Sequence, residues 1–104
     1  MPYNRIEVLD KVNDPHVWDA WLAERPDQVF NMNDTRGCVY AEFVKGVSGA
    51  ASAAVGYVSA GLYFADGSYG DILADDWVGR YVKQTLTRRN EWGMVTGTVA
   101  REVL

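Results

Sequence analysis

The chain carries a single cysteine, Cys38, and a single histidine, His16. That scarcity excludes an internal disulfide framework and a structural zinc site built from one chain, and it fits a reducing compartment. The first fourteen residues, MPYNRIEVLDKVND, have charges scattered through them and no apolar core. No secretory signal is evident there, and a cytoplasmic location is the expectation. Phosphate-cradling loops are missing as well. Gly46 and Gly49, then Gly56 and Gly61, match neither a GxxxxGKS/T loop nor a GxGxxG turn opening a helix. The acidic residues Asp66, Asp71, Asp75 and Asp76 lack the alternating spacing and closing glutamate of a calcium loop. No cofactor and no metal are expected.

Charge itself is absent from Gly46 to Ala65, twenty residues reading GVSGAASAAVGYVSAGLYFA. Twenty residues of helix would span a bilayer core. Only Val47, Val55, Val58, Leu62 and Phe64 are strongly apolar, and the remainder is Ala, Gly, Ser and Tyr. So little transfer energy, with no basic cluster at either end, argues against membrane insertion. The expectation is a central segment of a globular fold, buried on both faces.

What the chain does have is aromatic bulk: four Trp, six Tyr and three Phe in 104 residues. That is enough for one domain with one core, without staples. The net charge of −4 is unevenly placed, with −7 over residues 1–76 and +3 over residues 77–104. An acidic body with a mildly basic tail disfavours direct nucleic-acid binding without excluding it.

Asp14-Pro15 reads as a helix start, an N-cap acceptor followed by proline at the first helical position. Trp18, Trp21 and Leu22 then share one stripe until Pro26. Asp34 or Thr35 can cap a second helix, in which Val39, Tyr40, Phe43, Val44 and Val47 form an apolar face ending near Gly46 or Gly49. Asp75 or Asp76 caps a third, with Trp77, Val78, Tyr81, Val82 and Leu86 recurring along it. Trp92, Val95, Val99 and Val103 suggest a last helix, weakened by Gly93 and Gly97. Residues 1–13 show no long period and fit a strand, a helical turn or an ordered arm.

Residues 28–32 form a short apolar run, and 55–65 are rich in Tyr, Val, Leu and Phe. Asp66-Gly67 is a turn signal before a return strand at Tyr69–Leu73. The sequence therefore predicts one compact α+β domain. It has helices near 15–25, 35–47, 75–88 and 91–103, and a small, mainly antiparallel sheet from 28–32, 55–65 and 69–73. Whether Ser48–Ala65 is partly helical is open, because Ala and Gly blur the period.

The run Asn33-Asp34-Thr35-Arg36-Gly37-Cys38-Val39-Tyr40-Ala41-Glu42-Phe43 resembles a pattern in small proteins of phages and their bacterial hosts. There an acidic loop precedes a helix that begins with Cys, two apolar residues and Ala. The resemblance covers about a tenth of the chain. It implies a phage or mobile-element origin and brings no activity with it.

Cys38 is the one thiol available as a nucleophile. At a helix start its thiolate would be favoured by backbone N–H groups, with His16 as base and Asp34 as orienter. Nothing in the spacing brings His16 to Cys38, so packing as a small apolar residue is the simpler reading. The tail residues Arg80, Lys83, Arg88 and Arg89, with Trp77, Tyr81 and Trp92 between them, are types used to grip phosphates and stack bases. Those aromatics, however, share the apolar stripe of their helix. The helix carrying Trp92 and Val95 also offers a face for a homo-oligomer.

The segment Asp66–Asp76 holds four carboxylates and no base. Aromatics alternate with these acids from Tyr63 through Tyr69 to Trp77, and with Tyr69 among them Asp66, Asp71, Asp75 and Asp76 suit contact with a basic partner, including one that normally grips nucleic acid. The expected function is a non-catalytic, acidic protein-binding module. A phage-encoded anti-defence inhibitor, such as an anti-CRISPR protein blocking a surface of a larger host protein, would have these properties. The alternative is a nucleic-acid-associated regulator using the basic tail, and an enzyme dependent on Cys38 comes behind both.

Overall fold

The computed structural model describes residues 3–104. Its element order is α1 (Arg5–Val12), α2 (Pro15–Ala23), β1 (Val29–Asn31), α3 (Val39–Ser48), β2 (Ser52–Val55), β3 (Ser59–Tyr63), β4 (Tyr69–Leu73), α4 (Asp76–Leu86), β5 (Met94–Thr96) and α5 (Gly97–Val103). The fold is α+β. Residues 1–13, left open by the sequence, contribute helix α1, whose first turn is capped by the Asn4 side chain accepting from the Glu7 N–H.

Helix α2 begins as its residues dictate. Asp14 accepts a hydrogen bond from the His16 N–H at 2.9 Å, and Pro15 occupies the first turn. Helix α3 starts four residues later than expected, because Asp34 serves the loop instead of the helix. Its Oδ1 accepts from the Arg36 N–H at 2.9 Å, and Cys38 becomes the N-cap, making no side-chain capping bond. Gly49 closes α3 in the left-handed region at φ 77°, where an L side chain would be strained.

The core forms where α2, α3 and α4 turn aromatic stripes toward one another. Trp18 stacks on Phe43 with ring centroids 4.0 Å apart and meets the edges of Trp77 and Tyr81 at 6.2 and 5.2 Å. Three of the buried rings here have their polar atoms bonded. The Trp18 indole N–H donates to the Val12 carbonyl, the Tyr40 hydroxyl to that of Val58, and the Tyr81 hydroxyl to that of Ala100. Such pairing removes the desolvation cost that a buried N–H or O–H otherwise carries.

The expected single sheet is two. β2-β3-β4 is an antiparallel meander, whereas β1 pairs separately and antiparallel with β5. The uncharged run is correspondingly divided. It supplies the end of α3, then β2, a tight turn at Gly56–Val58, and β3. Burial on both faces is also not what the strands show. Ala60 and Leu62 face inward in β3, while Ser59 and Tyr63 are exposed. Helix α3 packs against β2 and β3 and covers one face of the meander; no helix of the described residues is long and apolar enough to cross a membrane.

The predicted helix over 91–103 is corrected most sharply. Met94–Thr96 is strand β5, and only Gly97–Val103 is helical. Gly97 lies against the backbone of the α2–β1 link and donates its N–H to the Gln28 carbonyl at 2.9 Å. A Cβ at this position would run into the Arg25 carbonyl oxygen. Trp92 stands in a turn, 72% exposed, while Val95 is buried on β5. The self-association face expected from a helix bearing both residues does not exist.

Candidate functional site

The three-stranded meander leaves its outer face open. Its register aligns Ser52, Tyr63 and Tyr69 in one row and Ala54, Gly61 and Asp71 in the next, with Ser59 opposite Leu73 beyond. Alternation along β4 sends Tyr69, Asp71 and Leu73 outward and Ile72 into the core. Tyr63, Tyr69 and Leu73 are 40%, 59% and 65% exposed, a concentration of large side chains that solvent-facing strands seldom carry.

The two tyrosine rings lie 5.2 Å apart and both reach over Gly61. The Arg36 guanidinium sits 5.7 Å from the Tyr63 ring centroid. Below Tyr69 the surface dips into a hollow of about 380 Å³ walled by Arg5, Gly61, Asp71 and Leu73. Arg5 donates from Nε to the Asp71 backbone carbonyl at 3.1 Å. The carbonyl, not the carboxylate, takes that bond. Hydrogen bonds at either end of the β3–β4 ladder, Phe64 N–H to the Ser68 carbonyl and Ala74 N–H to the Val58 carbonyl, set its phase. In that phase Tyr69, Asp71 and Leu73 direct their backbone groups to the open edge.

The five residues expected to carry contact are not one patch. Tyr69 and Asp71 sit side by side on the outer face. Asp66 lies in the β3–β4 turn, where Oδ1 accepts from the Ser68 N–H at 2.9 Å and from the Ser68 hydroxyl at 2.6 Å. Those bonds hold its carboxyl below the usual carboxylate range. Asp75 and Asp76 are at the far end, a full strand of about 17 Å away. Asp75 is the N-cap of α4, and its N–H donates to Asn13 Oδ1 at 2.8 Å. Asp76 pairs with Arg80 at 3.1 Å, which cancels much of its field. Among the described residues Asp71 and Asp75 form no ion pair.

Tyr63, Leu73, Arg5 and Arg36 complete the face; Tyr63 belongs to the aromatic–acidic alternation of the sequence but not to the expected contact set, and the other three were not singled out. The signal for two of them was present. Reflection about the Asp66 turn pairs Tyr63 with Tyr69, and two-residue alternation from Tyr69 reaches Leu73. The arginines arrive from distant parts of the chain, so no local pattern announces them.

The other candidates are placed differently. Cys38 is 5% exposed, and burial pushes its thiol up despite the opposing backbone N–H groups of Tyr40 and Ala41. No hydrogen bond among the described residues joins it to His16, whose backbone N–H donates to Asp14 Oδ1. Among the described residues no three His, Cys, Asp or Glu side chains converge as a metal site. In the tail, Tyr81 is core, Trp77 packs against it, and Arg88 pairs with Glu102 at 2.9 Å. No family model, curated protein or solved structure matches the chain.

Proposed function

We propose that this protein is a binding module that engages a basic surface of a larger protein through the outer face of its meander, and that it performs no catalysis. One observation carries the reading: Tyr63, Tyr69 and Leu73 are exposed side by side around Gly61, with Asp71 among them and the cations Arg5 and Arg36 at the margin of the face. Tyrosines supply large contact area at small entropic cost, and a carboxylate beside them fixes the orientation of a cationic partner. A standard interface takes about 800 Å² from each partner, roughly a seventh of this protein's 5695 Å² of accessible surface.

An inhibitor that occludes a nucleic-acid-binding surface is the form of this function that the carboxylates favour. An anti-defence protein would be one such inhibitor, and its phage origin rests on the Asn33–Phe43 resemblance alone. The nucleic-acid regulator has less support, because Tyr81 is buried and Trp77 packs against the core, while Arg80 and Arg88 are paired with acids.

The test compares capture of one partner by wild-type protein, by Tyr69→Ala/Asp71→Arg, and by Arg88→Glu/Arg89→Glu. Capture should vanish with the first variant and persist with the second. A salt-sensitive gel shift of bare nucleic acid, lost on changing Arg88 and Arg89, would establish the regulator instead.

A further inference from the structure

With lining residues distinct from those of the meander face, the β1–α3 loop, the β2–β3 turn and α4 border an open-mouthed apolar pocket of about 210 Å³. Its floor and walls are Met32, Cys38, Val55, Val82 and Leu86, and Tyr57 forms one lip. That lip is packed in place. Tyr57 lies on Gly79 of α4 so closely that a Cβ there would fall 2.6 Å from the ring.

Several polar groups at the rim are bonded within their own loops, and the one cation there is in no ion pair among the described residues. Asp34 is the single carboxylate in the wall, and it is folded into its own loop. Its Oδ1 accepts from the Arg36 N–H at 2.9 Å. The Thr35 carbonyl accepts from the Val55 N–H at 3.0 Å. The Asn33 N–H donates to Asn31 Oδ1 at 3.1 Å. Lys83 differs. Its ammonium stands 5.7 Å from the Tyr57 ring centroid and has no carboxylate partner among the described residues. The other bases of the same helix and the turn after it, Arg80, Arg88 and Arg89, are each bonded within the fold.

We infer that this pocket binds a small single-ring carboxylate, its ring against Met32, Val55 and Val82 and its carboxylate at the Lys83 ammonium. Size sets the ring count. An apolar protein cavity of about 150 Å³ accepts benzene, so 210 Å³ holds one ring with a short substituent. It falls short of the ~300 Å³ at which drug-sized sites begin. Charge sets the substituent: an acid gains a partner at Lys83, whereas a neutral isostere gains none. Met32 and the Cys38 sulfur add polarizable contacts suited to an aromatic edge.

The test is a titration of the full chain with phenylacetate and with its neutral amide, followed by backbone amide NMR. Shifts should concentrate at Cys38, Val55, Tyr57, Val82 and Lys83. Phenylacetate should bind about threefold more tightly than the amide at low salt. Lys83→Gln, a change at an exposed position, should remove that difference while leaving amide binding intact. Val82→Phe, which fills the pocket, should abolish binding of both. The inference is overturned if millimolar phenylacetate perturbs none of these residues, or if its advantage over the amide survives Lys83→Gln.

Discussion

Cys38 shows how two opposed effects resolve at one residue. A cysteine heading a helix has backbone N–H groups that favour its thiolate, but here the side chain is almost wholly inside the protein. Desolvation of the charged form outweighs those N–H groups and raises the thiol above its ordinary value. We expect labelling of Cys38 at neutral pH to be slower than that of a free thiol and to accelerate as denaturant unfolds the chain. Labelling faster than a free thiol would revive a cysteine-based activity. Gly97 makes a second residue-scale case. Its glycine is needed for space, because the Arg25 carbonyl occupies the position of any Cβ. Backbone cannot rotate aside as a side chain can. Gly97→Ala should therefore cost at least about 2 kcal/mol and lower Tm by about 10 °C, measured by calorimetry. An unchanged Tm would show that the α2–β1 link yields easily. From sequence, Gly97 could be read only as a weak helix former, since the chain that crowds it lies seventy residues away.

Among the elements, those announced by local chemistry were legible. Asp14-Pro15 starts α2, the apolar face of Val39, Tyr40, Phe43 and Val44 makes α3, and Asp66-Gly67 turns β3 into β4. What escaped were choices made by tertiary pairing. The spacing of Trp92, Val95, Val99 and Val103 imitates a helix, yet Val95 is drawn into β5 by Phe30, its partner on β1. Ser52-Ala53-Ala54 has poor strand propensity and becomes β2, with Ala53 buried at its centre.

The α2–α5 contact carries an element-scale prediction. Asp19 accepts from Arg101 Nε at 2.8 Å, and that hydrogen bond holds its carboxyl below the ordinary 3.8. A carboxyl that binds its proton less readily folded than unfolded stabilises the fold above the unfolded value, and the contribution drains away as pH falls through the folded value. Both side chains are solvent-facing, so the effect is small and screened by salt. In acid titration of stability below pH 3.8, Asp19→Asn should give a shallower limb than wild type at low ionic strength. Parallel limbs would mean that the pair does not tie α5 to α2.

Over the whole molecule, the radius of gyration of 12.7 Å is close to the ~13 Å of a compact 100-residue domain. Within it the two halves of the charge distribution take different forms. The basic tail becomes α4 and α5, where most cations meet acids inside the fold. The acidic middle becomes β4 and its flanks, where Asp71 and Asp75 meet none. The sequence singled out Tyr69 and Asp71 from the density of carboxylates around them, and strand β4 brings these two to one face. It did not show that Asp76 pairs with Arg80 one helical turn on, nor that the hairpin register sets Tyr63 opposite Tyr69. Contact through this face makes association depend on Asp71 and Asp75 more than on any cation of the tail. The most direct measurement is the association rate with a captured partner, for wild type, Asp71→Arg/Asp75→Arg and Arg88→Glu/Arg89→Glu, at low and high salt. The account predicts a rate at least about tenfold slower for the aspartate variant at low salt, a gap that closes as salt rises, and a near wild-type rate for the arginine variant. An aspartate variant that associates as fast as wild type, with binding abolished in the arginine variant, would contradict it.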